Sequence, residues 1–181
     1  MKMRLTLLSA AVLLAGCQTN STVRDVVGKN QFTQLTGASL ILNQALPIRA
    51  GQARVFVQGG RVSTGFNSYR TSCGFEIGSV QHGGVEIEPD TFEITSVQGS
   101  LTPVVSTEPM RFAALNLAGM EGFNGGSQAY YQGYHFWLSS EKQPDVRRMT
   151  CYGVYAEPYE LYPPTLAEIR EALGTIAEIR Q

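Results

Sequence analysis

Histidine, cysteine and tryptophan are scarce: the chain of 181 residues carries two, three and one of them. Tetrahedral zinc needs several Cys or His ligands at short spacing, and with only His82 and His135 beside the cysteines no metal site is expected. No nucleophile-elbow sequence surrounds a serine, so His135 with a serine and Asp90 or Asp145 makes a triad in composition only. His82, in His82-Gly83-Gly84, reads as an exposed turn residue. The glycine-rich stretch Gly119-Met120-Glu121-Gly122-Phe123-Asn124-Gly125-Gly126 is not followed by a helical pattern, which excludes a phosphate loop and leaves a surface loop. Charge is sparse as well. Charged residues make up 16% of the chain and the formal net charge is −1, which argues against the basic surface that nucleic acid demands. No cofactor is expected. Long apolar runs are also missing: a bilayer core of about 30 Å needs about 20 apolar residues, and the run Leu5 to Leu14 is too short and gives way to polar Gln18, Thr19, Asn20 and Ser21.

What the amino terminus does contain is an export signal. Lys2 and Arg4 form its charged region, Leu5 to Leu14 its apolar region and Ala15-Gly16 its small-residue site. The tetrapeptide Leu14-Ala15-Gly16-Cys17 resembles the lipid-attachment box of bacterial lipoproteins, and the resemblance covers residues 1 to 17. It implies that diacylglycerol is joined to the Cys17 thiol and that the signal is cut off just before it. Each buried acyl methylene contributes about 0.8 kcal/mol, so two or more chains hold a domain to the membrane stably. In that class an aspartate after the cysteine favours the inner membrane; Gln18 therefore implies the outer membrane, with the protein facing the periplasm. Residues 1–16 read as the removed signal, 17–34 as a lipidated, flexible tether and 35–181 as one globular domain. Loss of Lys2 and Arg4 takes the formal charge from −1 to −3.

With Cys17 committed to lipid, Cys73 and Cys151 remain, and in an oxidising compartment one pair reads as a disulfide. The chain-entropy argument gives on the order of 4.5 kcal/mol for so long a loop. Charge is segregated along the chain. Residues 26–75 carry Lys29, Arg49, Arg54, Arg61 and Arg70 without an acid, and 76–110 carry Glu76, Glu86, Glu88, Asp90, Glu93 and Glu108 without a base. Neighbouring strands would pair such charges at roughly 0.2–1 kcal/mol each; the other reading is a basic face for an acidic envelope partner.

The body of the chain is patterned as strand. Ala38 to Asn43 reads as a strand, Pro47 to Gln52 as a turn, and Ala53 to Gln58 leads through Gly59-Gly60 into Arg61-Val62 as a hairpin, because two glycines accept the positive φ of a tight turn. Further strands are expected at Cys73 to Val80, Val85 to Glu88, Phe92 to Val97, Arg111 to Leu117, Gln128 to Ser139 and Arg148 to Ala156. Alternation such as Phe92 and Ile94 against Glu93 and Thr95 buries one face and wets the other. Glu86 and Glu88 share a face, which paired acid-base catalysis would need and which a solvated strand also provides. The fold class expected is mainly β: a single antiparallel β-sandwich or small barrel-like domain with a C-terminal α-helix.

That helix is announced by Pro163-Pro164 and by the capping box Thr165-Leu166-Ala167-Glu168. It is expected over about 165–180, with Leu166, Ile169, Leu173 and Ile176 as an apolar stripe on its own domain or, alternatively, on a partner. Thr165-Leu166-Ala167-Glu168-Ile169-Arg170 recurs as Thr175-Ile176-Ala177-Glu178-Ile179-Arg180, marking a second cap after Gly174. Aromatic residues crowd one strand, Tyr130, Tyr131, Tyr134, Phe136 and Trp137, and follow in Tyr152, Tyr155, Tyr159 and Tyr162. They read as core and as cover over Gly133 and Gly153. The other reading makes Tyr131, His135 and Trp137 a binding platform for a glycan or protein partner, since such rings combine apolar area with a polar handle. Lipid anchor and β-domain together suggest a non-enzymatic structural, assembly or binding component of the envelope. An inhibitor that inserts residues 119–126 into an attacking hydrolase, or a cell-wall hydrolase, is the alternative.

Overall fold

The computed structural model describes residues 22–25, 31–103, 130–156 and 159–181. Cys17, the strand expected at Arg111 to Leu117 and the loop at 119–126 lie outside the described residues. In chain order the elements are β1 (Val23–Arg24), β2 (Phe32–Thr33), β3 (Ser39–Leu42), β4 (Leu46–Ile48), β5 (Arg54–Gln58), β6 (Arg61–Ser63) and β7 (Ser72–Ile77). They continue with β8 (Val85–Ile87), β9 (Asp90–Pro103), β10 (Tyr130–Ser139), β11 (Val146–Tyr152), α1 (Leu166–Leu173) and β12 (Ala177–Arg180). Eight strands form one antiparallel sheet in the order β12-β3-β9-β10-β11-β7-β5-β6, curled into a half-barrel, and β1-β2 and β4-β8 add two short ladders. The expectation of a mainly β, antiparallel domain with a C-terminal-region helix holds.

Alternation decides which side chains fill the concave face. Val55, Phe75, Met149, Phe136 and Val97 stand in one cross-strand row and are buried. Along β9 the period-2 pattern slips between Ile94 and Val97, because Thr95 and Ser96 together oppose Trp137 in a bulge; the extra residue returns Val97 to the core side. Leu166, Ile169 and Leu173 of α1 are buried against this face, with contacts to β5 and β7. The stripe therefore packs on its own domain. Cys73 and Cys151 are register partners on β7 and β11 and form a buried disulfide.

Three placements differ from expectation. The helix ends at Leu173 rather than near 180, since Gly174 turns the chain with φ 56° and donates its N–H back to the Arg170 carbonyl. The second copy of the hexapeptide then runs as β12 on the edge of β3, with Ala177 and Ile179 buried and Glu178 and Arg180 outward. A sequence compatible with both periods takes the one that the free edge of β3 can hydrogen-bond. The segment expected as tether also contributes to the fold. Val23 is fully buried and the Arg24 N–H donates to Tyr134 Oη at 3.3 Å, so packing begins ahead of Leu35. Pro47, expected in a turn, lies in β4 instead, a two-stranded ladder where a missing N–H can face away from the partner.

The Gly59-Gly60 turn has φ of 57° and 68°, the signature of a type I′ hairpin. Its tip is tied to the helix by the Gly60 N–H on the Ala172 carbonyl. At the opposite end of the sheet, Asp90 gathers the β10–β11 turn: Ser140 Oγ donates to Oδ2 at 2.6 Å, Gln143 Nε2 at 3.2 Å, and the Thr91 N–H to Oδ1 at 2.8 Å.

Candidate binding face

The convex face of the sheet carries the side chains that alternate with the core. One cross-strand row reads Arg54, Glu76, Arg148, Trp137, and the next reads Phe56, Gly74, Thr150, His135, Gln98. Glu76 sits at the centre with 12% of its side chain exposed. Arg54 Nη2 meets its Oε1 at 3.1 Å, and Arg148 Nη2 and Nε both meet Oε2 at 2.9 Å. The segregated charges thus pair across the sheet at Arg54 and Glu76. Each guanidinium lies near a ring: Arg148 is 5.4 Å from the Trp137 centroid and Arg54 5.7 Å from that of Phe56. Such contacts contribute about 0.5–1 kcal/mol at exposed sites and orient the cation. Arg54 Nη1 donates to Tyr152 Oη at 3.2 Å, whereas Nη1 of Arg148 has no partner among the described residues.

A hydroxyl links this ion cluster to the histidine. Buried Thr150 donates its one proton to Glu76 Oε1 at 2.9 Å and lies 2.8 Å from His135 Nδ1. His135 must then donate from Nδ1, which fixes the tautomer and leaves the Nε2 lone pair for other contacts. Burial, with the positive charge of Arg148 and Arg54, holds the His135 pKa below its ordinary value of 6.5, and Glu76 only partly offsets this. Burial likewise raises the pKa of Tyr152. Trp137 Nε1 donates to Gln98 Oε1 at 3.0 Å, so the indole is held from both its ring face and its edge.

Beside this strip lies a closed aromatic cluster. Phe66 stacks on Tyr152 with centroids 5.5 Å apart and meets Phe56 at 4.9 Å and Tyr131 at 5.7 Å. Tyr155 and then Tyr69 continue it outward, and Tyr69 is exposed. Tyr131, His135 and Trp137 do share one face, as period 2 requires, but Tyr131 is buried in the cluster while His135 and Trp137 remain partly accessible. The nearest atoms to a Cβ at Gly133 belong not to a ring but to the backbone carbonyl of Cys151, with which it would collide, and at Gly153 to the backbone carbonyls of Tyr162 and Gln132.

The other candidates are dispersed. Asp90 is engaged by Ser140 and Asp145 by Ser79, and neither is a partner of His135, whose hydroxyl neighbour is Thr150. His82 is exposed, and Glu86 and Glu88 are exposed on and just beyond β8. No group of His, Cys, Asp and Glu suited to a metal occurs among the described residues. Arg54, Glu76, Arg148 and Thr150 are not legible as a unit in the sequence, although Arg54, Glu76 and Thr150 each stand between apolar neighbours on a strand. Their rows follow from strand order, which local pattern does not contain. Comparison of the chain with known protein families, curated proteins and solved structures finds no match.

Proposed function

We propose that this protein is a lipid-anchored component of the bacterial envelope, held by Cys17 at the periplasmic face of the outer membrane, and that it acts by binding rather than by catalysis. Its binding surface is the strip Arg54–Glu76–Arg148–Trp137 with His135. The observation that carries this reading is two guanidinium groups fixed by one recessed carboxylate beside aromatic rings, with side-chain exposures of 39% and 27% for Arg54 and Arg148. A surface whose cations are already oriented loses little side-chain entropy on docking a carboxylate-bearing protein or glycan. The lipid-attachment box supports the address, and an anchored domain gains effective concentration against membrane partners.

Cross-linking in intact envelopes with the tagged, full-length chain tests this. We expect one dominant adduct, reduced at least ten-fold by Trp137→Ala while the circular dichroism stays native. We also expect Cys17→Ser to accumulate as uncleaved precursor or soluble protein. An adduct indifferent to Trp137→Ala, or normal processing of the Cys17→Ser chain, refutes the respective half of the proposal.

A further inference from the structure

At the other border of the sheet, β6 is an edge strand whose outer side pairs with no strand among the described residues. The Gly59-Gly60 turn makes Gln58 and Arg61 the hydrogen-bonded pair that closes the hairpin, and in an antiparallel ladder such pairs alternate. Val57 and Val62 are therefore a non-hydrogen-bonded pair, and the N–H and C=O of Val62 point away from β5. Arg61, Val62 and Ser63 are all exposed, and among the described residues no strand pairs with this edge. Next to it runs a groove of about 460 Å³ lined by Pro47, Arg49, Val55, Val62, Ser63 and Thr64. Val62, 38% exposed, shares the face of buried Val57 and extends the apolar floor past the end of the core.

Two arginines flank this edge. Arg49 lines the groove, and Arg61, in register with Gln58, flanks the strand on the opposite face. Neither forms an ion pair among the described residues. Residues 26–75 contain no acid, and Glu76, the first to follow, is taken by Arg54 and Arg148. Glu86 stands opposite Pro47 on β8 and makes no ion pair with Arg49.

We infer that the β6 edge and the Arg49 groove form a second docking site, which takes an extended, acidic segment of a partner protein as an added strand. Backbone pairing at Val62 supplies the strand contact, an apolar side chain of the guest fills the floor between Pro47 and Val62, and its carboxylates meet Arg49 and Arg61. A short strand that begins with a charge, Arg61, also guards against indiscriminate edge pairing; cations on both faces make that guard selective for acidic guests.

The test titrates full-length protein in detergent with a short synthetic peptide alternating valine and threonine, with aspartate at both ends, read by backbone amide NMR and hydrogen exchange. We expect saturable binding with slowed exchange of the Val62 amide. Val62→Pro removes only an outward N–H, leaves the β5 ladder intact, and should weaken binding more than ten-fold. Arg49→Glu with Arg61→Glu, on exposed side chains that the fold does not need, should weaken it roughly ten-fold, and the same peptide with lysine ends should not bind. No saturable binding, binding that survives either variant, or equal binding of the lysine peptide overturns the proposal. A concentration-dependent dimer lost in Val62→Pro also overturns it, by making the guest a second copy of this chain.

Discussion

At the scale of single residues, Glu76 organises the convex face, because one carboxylate accepts from two guanidinium groups and a buried hydroxyl. Glu76→Gln keeps the shape and removes the charge, leaving Arg148 partly buried without its anion. We expect a loss of about 1–3 kcal/mol in urea unfolding, below the figure for a fully buried pair because water reaches both arginines. His135 gives a pH signature of defined sign. Its folded pKa lies below the ordinary 6.5, so the unfolded chain takes up a proton first as pH falls. Its stability contribution is full above about 6.5 and declines as pH drops toward the folded value. Unfolding free energy measured from pH 7.5 down to 5 should therefore fall less steeply in His135→Asn than in the natural chain; parallel curves would show that His135 does not contribute. Trp137 and His135 were legible as neighbours on one face from period 2 alone. Glu76 was not, because its partners lie on strands that only the register places beside it.

At the scale of elements, two nearly identical hexapeptides adopt different structures. Residues 165–170 begin α1, with Thr165 Oγ1 accepting from the Glu168 N–H at 3.2 Å and Glu168 Oε2 accepting from the Thr165 N–H at 2.7 Å. Residues 175–180 lead into a strand, where Glu178 turns to Arg180 at 3.0 Å instead of to a helix amide. Thr165→Ala should cost about 1 kcal/mol for the lost cap, and Thr175→Ala, at an exposed position with no cap to lose, should stay within about 0.5 kcal/mol. Equal effects in thermal unfolding would remove the distinction. Between the two copies, Gly174 holds φ at 56°, and a Cβ there would lie 2.6 Å from the Gly60 Cα. Gly174→Ala combines backbone strain with a clash against the hairpin tip and should destabilise by about 1–3 kcal/mol. The capping box was readable from the sequence. The stop at Leu173 was only hinted at by Gly174, since the deciding partner of the second copy, β3, lies far away in the chain.

At the scale of the whole molecule, the disulfide joins β7 to β11 near the middle of the sheet and closes a loop with a sequence separation of 78. Replacing both cysteines by serine should lower stability by about 2–4 kcal/mol, read as a reduced urea midpoint, while the oxidised chain should migrate faster than the reduced one in denaturing gels. Identical mobility would contradict the bond. Among the described residues no helix is long and apolar enough to cross a membrane. By itself the sequence determined the β class, the hairpin at Gly59-Gly60, the start of the helix, the cysteine pairing and which residues of each strand share a face. All of these follow from local rules: turn chemistry, a reciprocal cap, the count of thiols and the two-residue period of a pleated chain. Tertiary structure alone decided the order of the eight strands, their curl into a half-barrel, the gathering of Arg54, Glu76 and Arg148, and the second life of a helical motif as an edge strand. The physical reason is that strand partners are chosen by hydrogen-bonding edges and shared core volume between distant segments, and no stretch of sequence contains its own neighbour.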